Sequence, residues 1–298
     1  MSNAREIRSK VTSVKNTQKI TGAMELVAAS KMRGAIVKMN DVRPYVDSAN
    51  AIIKNIVQAS IDYPNPYLFE RPVKRVGYIV TSTDRGLCGG LNIILFKSMI
   101  KDIKKHIDQN VAVDICAIGS KAAAFFAKIK DVNVVATAHY NDKDLDESER
   151  MIGGAVKVML DNFIAGGIDK LYVSSNQFVS TIKQQARRQV LLPIQDIFTK
   201  EEIKQNKEGS SKSHWDYIYE RDIEEVLNAI CTRYIEAQVR GAVLENAACE
   251  QASRMIAMKN ATDNASDIID QLNLDYNKVR QAMITQELAE ICSGAAAV

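Results

Sequence analysis

This chain of 298 residues has few of the groups that hold metals or staple small folds. Its five cysteines (Cys88, Cys116, Cys231, Cys249 and Cys292) are scattered among apolar neighbours with no CxxC pair. That pattern argues against zinc and disulfide frameworks and for free buried thiols. Three histidines, His106, His139 and His214, lie too far apart in sequence to suggest a metal cluster and read as surface residues. No run of about 20 apolar residues exists to cross a bilayer as a helix. The start, MSNAREIRSK, has neither the apolar core of a signal peptide nor an obvious transit peptide, so a soluble, cytoplasmic protein is expected. Proline is scarce too, and none follows Pro193. The C-terminal third therefore meets no residue that would force a helix to break.

What is present is a large apolar fraction, 46%, enough for a sizeable core and against a disordered chain. Much of it lies on two long ladders spaced 4,3,4,3, the repeat of helices that supercoil around a partner. The C-terminal ladder reads Ile223, Leu227, Ile230, Tyr234, Ala237, Gly241, Leu244, Ala248, polar Gln251, Met255, Met258, Thr262, Ala265, Ile269, Leu272, Tyr276, Val279 and Met283. At 1.5 Å per residue, such a helix runs roughly 90 Å, more than one globule needs. The N-terminal ladder runs from Ala4 to Ile56, is polar in its middle at Gln18, Thr21 and Glu25, and carries Gly22, Gly34 and Pro44. These weaken the helix, and a bend is expected at Pro44.

Between the ladders the period changes. Segments 73–83, 111–119, 132–140 and 169–178 are short β-branched runs, while 91–108, 120–130 and 145–165 look helical. Alternation of strand and helix predicts a parallel α/β sheet covered on both faces, with 181–194 as an antiparallel edge strand. The expected fold is thus α/β, a Rossmann-like domain (73–198) inserted into a long antiparallel coiled coil of an N-terminal helix (1–60) and a C-terminal helix (216–298). Residues 199–215, rich in Lys, Glu and Ser, read as a linker or insertion. Charge favours the pairing: residues 1–43 carry nine bases against three acids, and residues 216–298 carry seven against fourteen.

Chemistry is sparse. TSTDRGLCGGLN (81–92) is a glycine-rich turn between strand and helix where backbone N–H groups can cradle a phosphate. It fits neither GxGxxG nor GxxxxGK[ST], so a structural or partner-contacting turn is the competing reading. No catalytic triad, carboxylate pair or metal-ligand set stands out. The basic N-terminal helix lacks the interleaved aromatics of a nucleic-acid surface. ITQELAEICSGAAAV (284–298) ends the helix in small apolar residues without a polar cap, as a helix sheathed by a partner would. A nucleotide-binding α/β enzyme with helical arms and a cytoskeletal coiled-coil adaptor are the alternatives these patterns leave open.

Four ordered segments carry a resemblance: ITGAMELVAASKMRGA (20–35), TDRGLCGGLN (83–92), RMIAMKNATDNA (254–265) and ITQELAEICSGAA (284–296). Together they closely resemble the gamma subunits of F-type ATP synthases, over essentially the whole chain. The resemblance implies a non-catalytic rotor shaft without cofactors, whose paired helices occupy a ring of three alpha and three beta subunits. Its α/β domain would face the epsilon subunit and the c-ring of Fo, coupling proton-driven rotation to ATP synthesis or hydrolysis at beta. It also implies a peripheral position on the cytoplasmic face of a bacterial inner membrane. Met24 is similar to the family's coupling methionine, with Lys31 and Arg33 as Coulombic contacts to an acidic loop of beta. Arg254, Gln281, Thr285 and Glu287 match C-terminal contact or coupling positions, and Asp84, Arg85 and Cys88 mark a turn near beta. Packing in the helix seam is the simpler role for Met24, and an ion pair with the facing helix for Arg254. The stretch 199–219 departs from the resemblance by its greater length.

Overall fold

The computed structural model describes residues 2–58, 66–68, 70–141, 144–194 and 223–296, so the expected linker at 199–215 lies outside the described residues. Its elements are α1 (Ser2–Gln58), β1 (Arg75–Thr81), α2 (Leu91–Asp108), β2 (Ala112–Ile118), α3 (Ser120–Phe126), β3 (Val132–Ala138), α4 (Leu145–Ile164), β4 (Lys170–Phe178), β5 (Gln184–Leu192) and α5 (Ile223–Ala296). The chain divides into two compact units, one of Met1–Ser30 with Arg254–Val298 and the other of Lys31–Ser253. Both long helices cross that division, because parts of each pack against the sheet.

Within the larger unit the five strands run in the order β3-β2-β1-β4-β5. The first four are parallel, and β5 returns antiparallel beside β4 at the edge. Tyr78 stands opposite Ile115 on one side and Tyr172 on the other. The runs of β1, β2 and β4 bury both faces, as inner parallel strands must when helices cover each side, while β3 at the edge is half-buried. One face carries Val76, Tyr78, Val80, Val113 and Ile115 against Leu95, Phe96, Met99 and Ile103 of α2 and Phe126 of α3. The other carries Ile79, Cys116, Ile118, Leu171 and Val173 against Val156, Met159, Leu160 and Phe163 of α4 and Tyr234, Ile235, Val239 and Val243 of α5.

Local chemistry explains the boundaries. Helix α2 occupies the residues its periodicity predicted. Helix α3 is shorter than the predicted 120–130: Lys128 and Ile129 donate to the carbonyls of Phe125 and Phe126, three residues back. That tightened turn and Asp131, at φ 70°, end the helix and start β3. Asp144 caps α4 by accepting from the Glu147 amide at 3.1 Å. After α1, Tyr67 stacks on Phe163 with ring centroids 6.2 Å apart, and its carbonyl accepts from the Ile194 amide. Helix α1 itself continues through Pro44 without interruption.

In this unit α1 and α5 are antiparallel. Val46 lies against Gly241, where a Cβ would come within 3.3 Å of Val46 Cγ2, and Gln238 Nε2 donates to Asn50 Oδ1 at 2.8 Å. Four residues forward on α1 correspond to three back on α5. The smaller unit pairs the remaining parts of the two helices. Val11, Ala28, Met258, Ala265 and Ile269 are buried there, and Thr262 Oγ1 donates to Thr21 Oγ1 at 2.8 Å. The polar gap in the N-terminal ladder is thus a hydrogen-bonded layer at Thr21. Every ladder residue whose side chain is described, on both helices, is buried or half-buried.

Cys88, Cys116, Cys231 and Cys249 are free and buried, whereas Cys292 is free and exposed, against the expectation of burial. It sits at the end of α5, where no second element of the smaller unit covers it. Burial pushes the Cys116 and Cys231 thiols up to about 12. His139 is exposed as predicted. His106 is not: it is half-buried beside Tyr78, because α2 turns it toward the sheet. His214 lies outside the described residues.

Candidate functional site

The glycine-rich turn follows β1 at the carboxyl end of the sheet. Thr83 Oγ1 donates to the Arg85 carbonyl at 2.7 Å and accepts from Asn92 Nδ2 at 2.7 Å, folding the turn onto the first residues of α2. Leu87, at φ 64°, and Gly89, at φ 59°, make the left-handed steps. Leu87 is 61% exposed, so its strained backbone serves no packing in the isolated chain. Asp84 is engaged within the fold. Its Oδ1 accepts from the Ser120 amide at 2.7 Å and lies 2.9 Å from His139 Nδ1, while Ser120 Oγ donates to its carbonyl. Gly119 beside it has φ 101°, and a Cβ there would lie 2.5 Å from the Ser82 carbonyl oxygen. Cys88 points inward, clustered with Leu91 and Cys249. Arg85 is exposed.

In doubly wound sheets a ligand crevice opens at the carboxyl ends of the strands where the winding reverses, here between β1 and β4. In this chain α5 fills it. Asn176 Nδ2 donates to Asn246 Oδ1 at 2.8 Å, the Cys249 thiol donates to the Asn176 carbonyl at 3.4 Å, and Glu245 Oε1 accepts from the Phe178 amide at 3.1 Å. Burial raises the Glu245 carboxyl, an effect partly offset by that hydrogen bond and by Arg187 and Arg43. A separate cavity of about 670 Å³ lies among α1, α4 and α5. Its rim balances Lys38, Arg150, Arg233 and Arg240 against Asp41, Asp146, Glu149 and Glu236, so it presents no dominant charge to a ligand.

The remaining predicted positions lie on the long helices. In the smaller unit, Met24 is half-buried three residues from the Thr21–Thr262 bond, and Arg254 is also half-buried. Gln281 and Thr285 are exposed one turn apart, joined by a bond from Thr285 Oγ1 to the Gln281 carbonyl at 2.9 Å, with exposed Glu287 next to them. Lys31 and Arg33, in the larger unit, are exposed. No catalytic constellation joins these positions. They are surface points on helices, suited to touching a partner.

The family profile described as ATP synthase matches residues 3–298. The ATP synthase gamma chain of Francisella philomiragia is 83% identical over 298 residues, the full length of both chains. The chain belongs to the ATP synthase gamma-chain family. The gamma chain of Francisella tularensis subsp. novicida is 82% identical, again with both chains covered completely. A chain of the Euglena gracilis mitochondrial ATP synthase, from an assembly of OSCP, F1 and c-ring, shares the fold at TM-score 0.66 and 20% identity, covering 99% of this chain and 94% of that one. As a gamma chain the protein is a non-catalytic subunit of the central stalk; catalysis is in the beta subunits.

The sequence reading missed Asn176, Asn246 and Glu245. A second apolar stripe on α5 (Cys231, Ile235, Val239, Ala242, Cys249) was the available signal, since it flanks the ladder and marks a face buried against the sheet.

Proposed function

We propose that the paired ends of α1 and α5 turn inside a ring of three alpha and three beta subunits, while the α/β part faces the epsilon subunit and the c-ring. Proton flow turns ring and shaft together, and the shaft changes nucleotide affinity at each beta subunit in sequence. It does so because its contact energy differs among the three beta conformations; a shaft with equal contacts would shift nothing. The complex is peripheral on the cytoplasmic face of the bacterial inner membrane. Among the described residues no helix is long and apolar enough to cross a membrane.

One observation carries this reading: the outward surface of the smaller unit carries large apolar side chains among its charges, where a free helix pair would be polar. Ile20, Leu26, Val27, Leu274, Ile284, Leu288 and Ile291 are all exposed although the seam between the helices is satisfied. Ile284, Leu288 and Ile291 are spaced 4 and 3, one continuous stripe beside Gln281, Thr285 and Glu287. Patches of this kind mark surfaces that a partner covers. Met24, Lys31, Arg33, Arg254, Gln281, Thr285 and Glu287 are the coupling contacts in this reading. At the turn, Arg85 reaches the partner, while Asp84 and Cys88 hold the turn's shape. Co-purification of the tagged chain with alpha and beta subunits, three of each to one, tests it. Recovery of the chain alone or as a self-associated coil, under conditions that preserve the complex, contradicts it.

A further inference from the structure

The contacts between α5 and the β4–β5 hairpin are more polar and more directional than holding a helix on a sheet requires. Asn176 and Asn246 are 1% and 3% exposed, and their side chains bond each other. Cys249 and Glu245 bond the backbone of Asn176 and Phe178 on either side of that pair. Ser253 Oγ donates to Gln184 Oε1 at 2.9 Å across the hairpin. At the other end Gln189 Nε2 donates to Gln238 Oε1 at 3.5 Å, and Gln238 passes the connection on to Asn50 of α1. These contacts run along α5 from residue 238 to 253, roughly 22 Å of helix.

Apolar packing is non-directional, and packed helices slide by small shear steps when a load acts across them. A buried hydrogen-bonded pair exists in one register only, because any slip strands two amides without partners in a low-dielectric interior. We propose that this polar line is the joint that makes the α/β part and the two long helices turn as one body, with Asn176 and Asn246 as its positioning residues. The inference rests on the rotor reading above. It assigns the filled crevice of the sheet a mechanical role, since the contacts that occupy the crevice are those that fix α5 to the strands.

The test is the double variant Asn176→Leu with Asn246→Leu in the full ATP synthase complex. Replacing both partners by apolar groups of similar shape leaves folding nearly unchanged while removing the register. The expected result is retained assembly and ATP turnover without load, a loss of ATP-driven proton pumping against an established gradient, and a broader angular spread of a bead attached to α2. Asn246→Asp alone, which keeps an acceptor for the Asn176 amide, is expected to retain pumping. Glu245→Ala, at the rim of the joint where folding is less at stake, is expected to broaden the angular spread by itself. Wild-type pumping and angular spread in the double variant and in Glu245→Ala overturn the joint. Failure of the unmodified chain to co-purify with alpha and beta overturns the rotor reading instead, and the joint with it.

Discussion

Helix α5 has two different environments along one unbroken length. From Leu227 to Ala252 it is buried on two sides: the ladder residues Tyr234, Ala237 and Ala248 on one, and Cys231, Ile235, Val239 and Cys249 on the other. No large apolar side chain of that stretch is exposed among the described residues. From Met255 onward the buried residues, Met258, Ala265 and Ile269, all lie on the ladder, and Ile268, Leu274, Ile284, Leu288 and Ile291 face outward. The same helix is thus a core element where a sheet is available and half of a bare pair where none is. A two-helix pair has a single seam, so it cannot bury apolar residues on its outer faces. Their presence there marks a stretch of the chain that another molecule must cover.

The contrast predicts unequal costs for truncating buried side chains. Phe163 is fully buried in the sheet core, stacked on Tyr67 with the Arg71 guanidinium 5.0 Å from its centroid. Phe163→Ala should cost about 3–5 kcal/mol, read as a lower thermal midpoint of the full chain. Met258→Ala, in the single seam of the smaller unit, should cost about 2 kcal/mol, the low end for such a deletion, because one side of the site can collapse. Equal costs would erase the distinction between the two regions. Met24→Lys should change stability by under about 1 kcal/mol, since a half-buried lysine can extend its ammonium to water. In the assembled complex it should still lower proton pumping per ATP hydrolysed, as it places a charge against the ring. Unchanged pumping would remove Met24 from the coupling contacts.

The smallest expected effect is a pH dependence confined to the α/β part. Burial, followed by Arg188, lowers the His106 pKa, with Asp102 opposing. The unfolded chain then binds the proton more tightly than the folded one. Stability should rise as pH increases through the ordinary histidine range near 6.5 and decline below it. His106→Gln should flatten that slope in denaturant titrations between about pH 5 and pH 7.5. An unchanged slope would assign it to other groups.

The ladders were legible because each heptad position had one partner to meet, and all the described ladder residues are withdrawn from solvent. The strands were legible from their β-branched runs, and β5 from its polar alternation at an edge. Strand order was not, because four parallel strands of similar character pair equally well in several sequences. The joint was hidden for a related reason. Ser174, Ser175 and Asn176 read as a polar strand end, and Asn246 falls between the ladder positions Leu244 and Ala248, where a coiled coil exposes its residues. They are buried because α5 has a second partner, the sheet, and that is a tertiary fact. For the proposed coupling positions the sequence motif is the whole signal. Gln281, Thr285 and Glu287 are solvated residues of an ordinary helix.

The central claim is that this chain rotates as a shaft. Cys292 is the exposed native thiol among the described residues, so Cys292→Ser with Lys104→Cys, an exposed position on α2, gives a single accessible attachment point. A bead fixed there, on complexes of alpha, beta and this chain immobilised through beta, should turn in one direction when ATP is added and stop when ATP is withdrawn. A bead that remains stationary while the same complexes hydrolyse ATP at full rate would contradict the account.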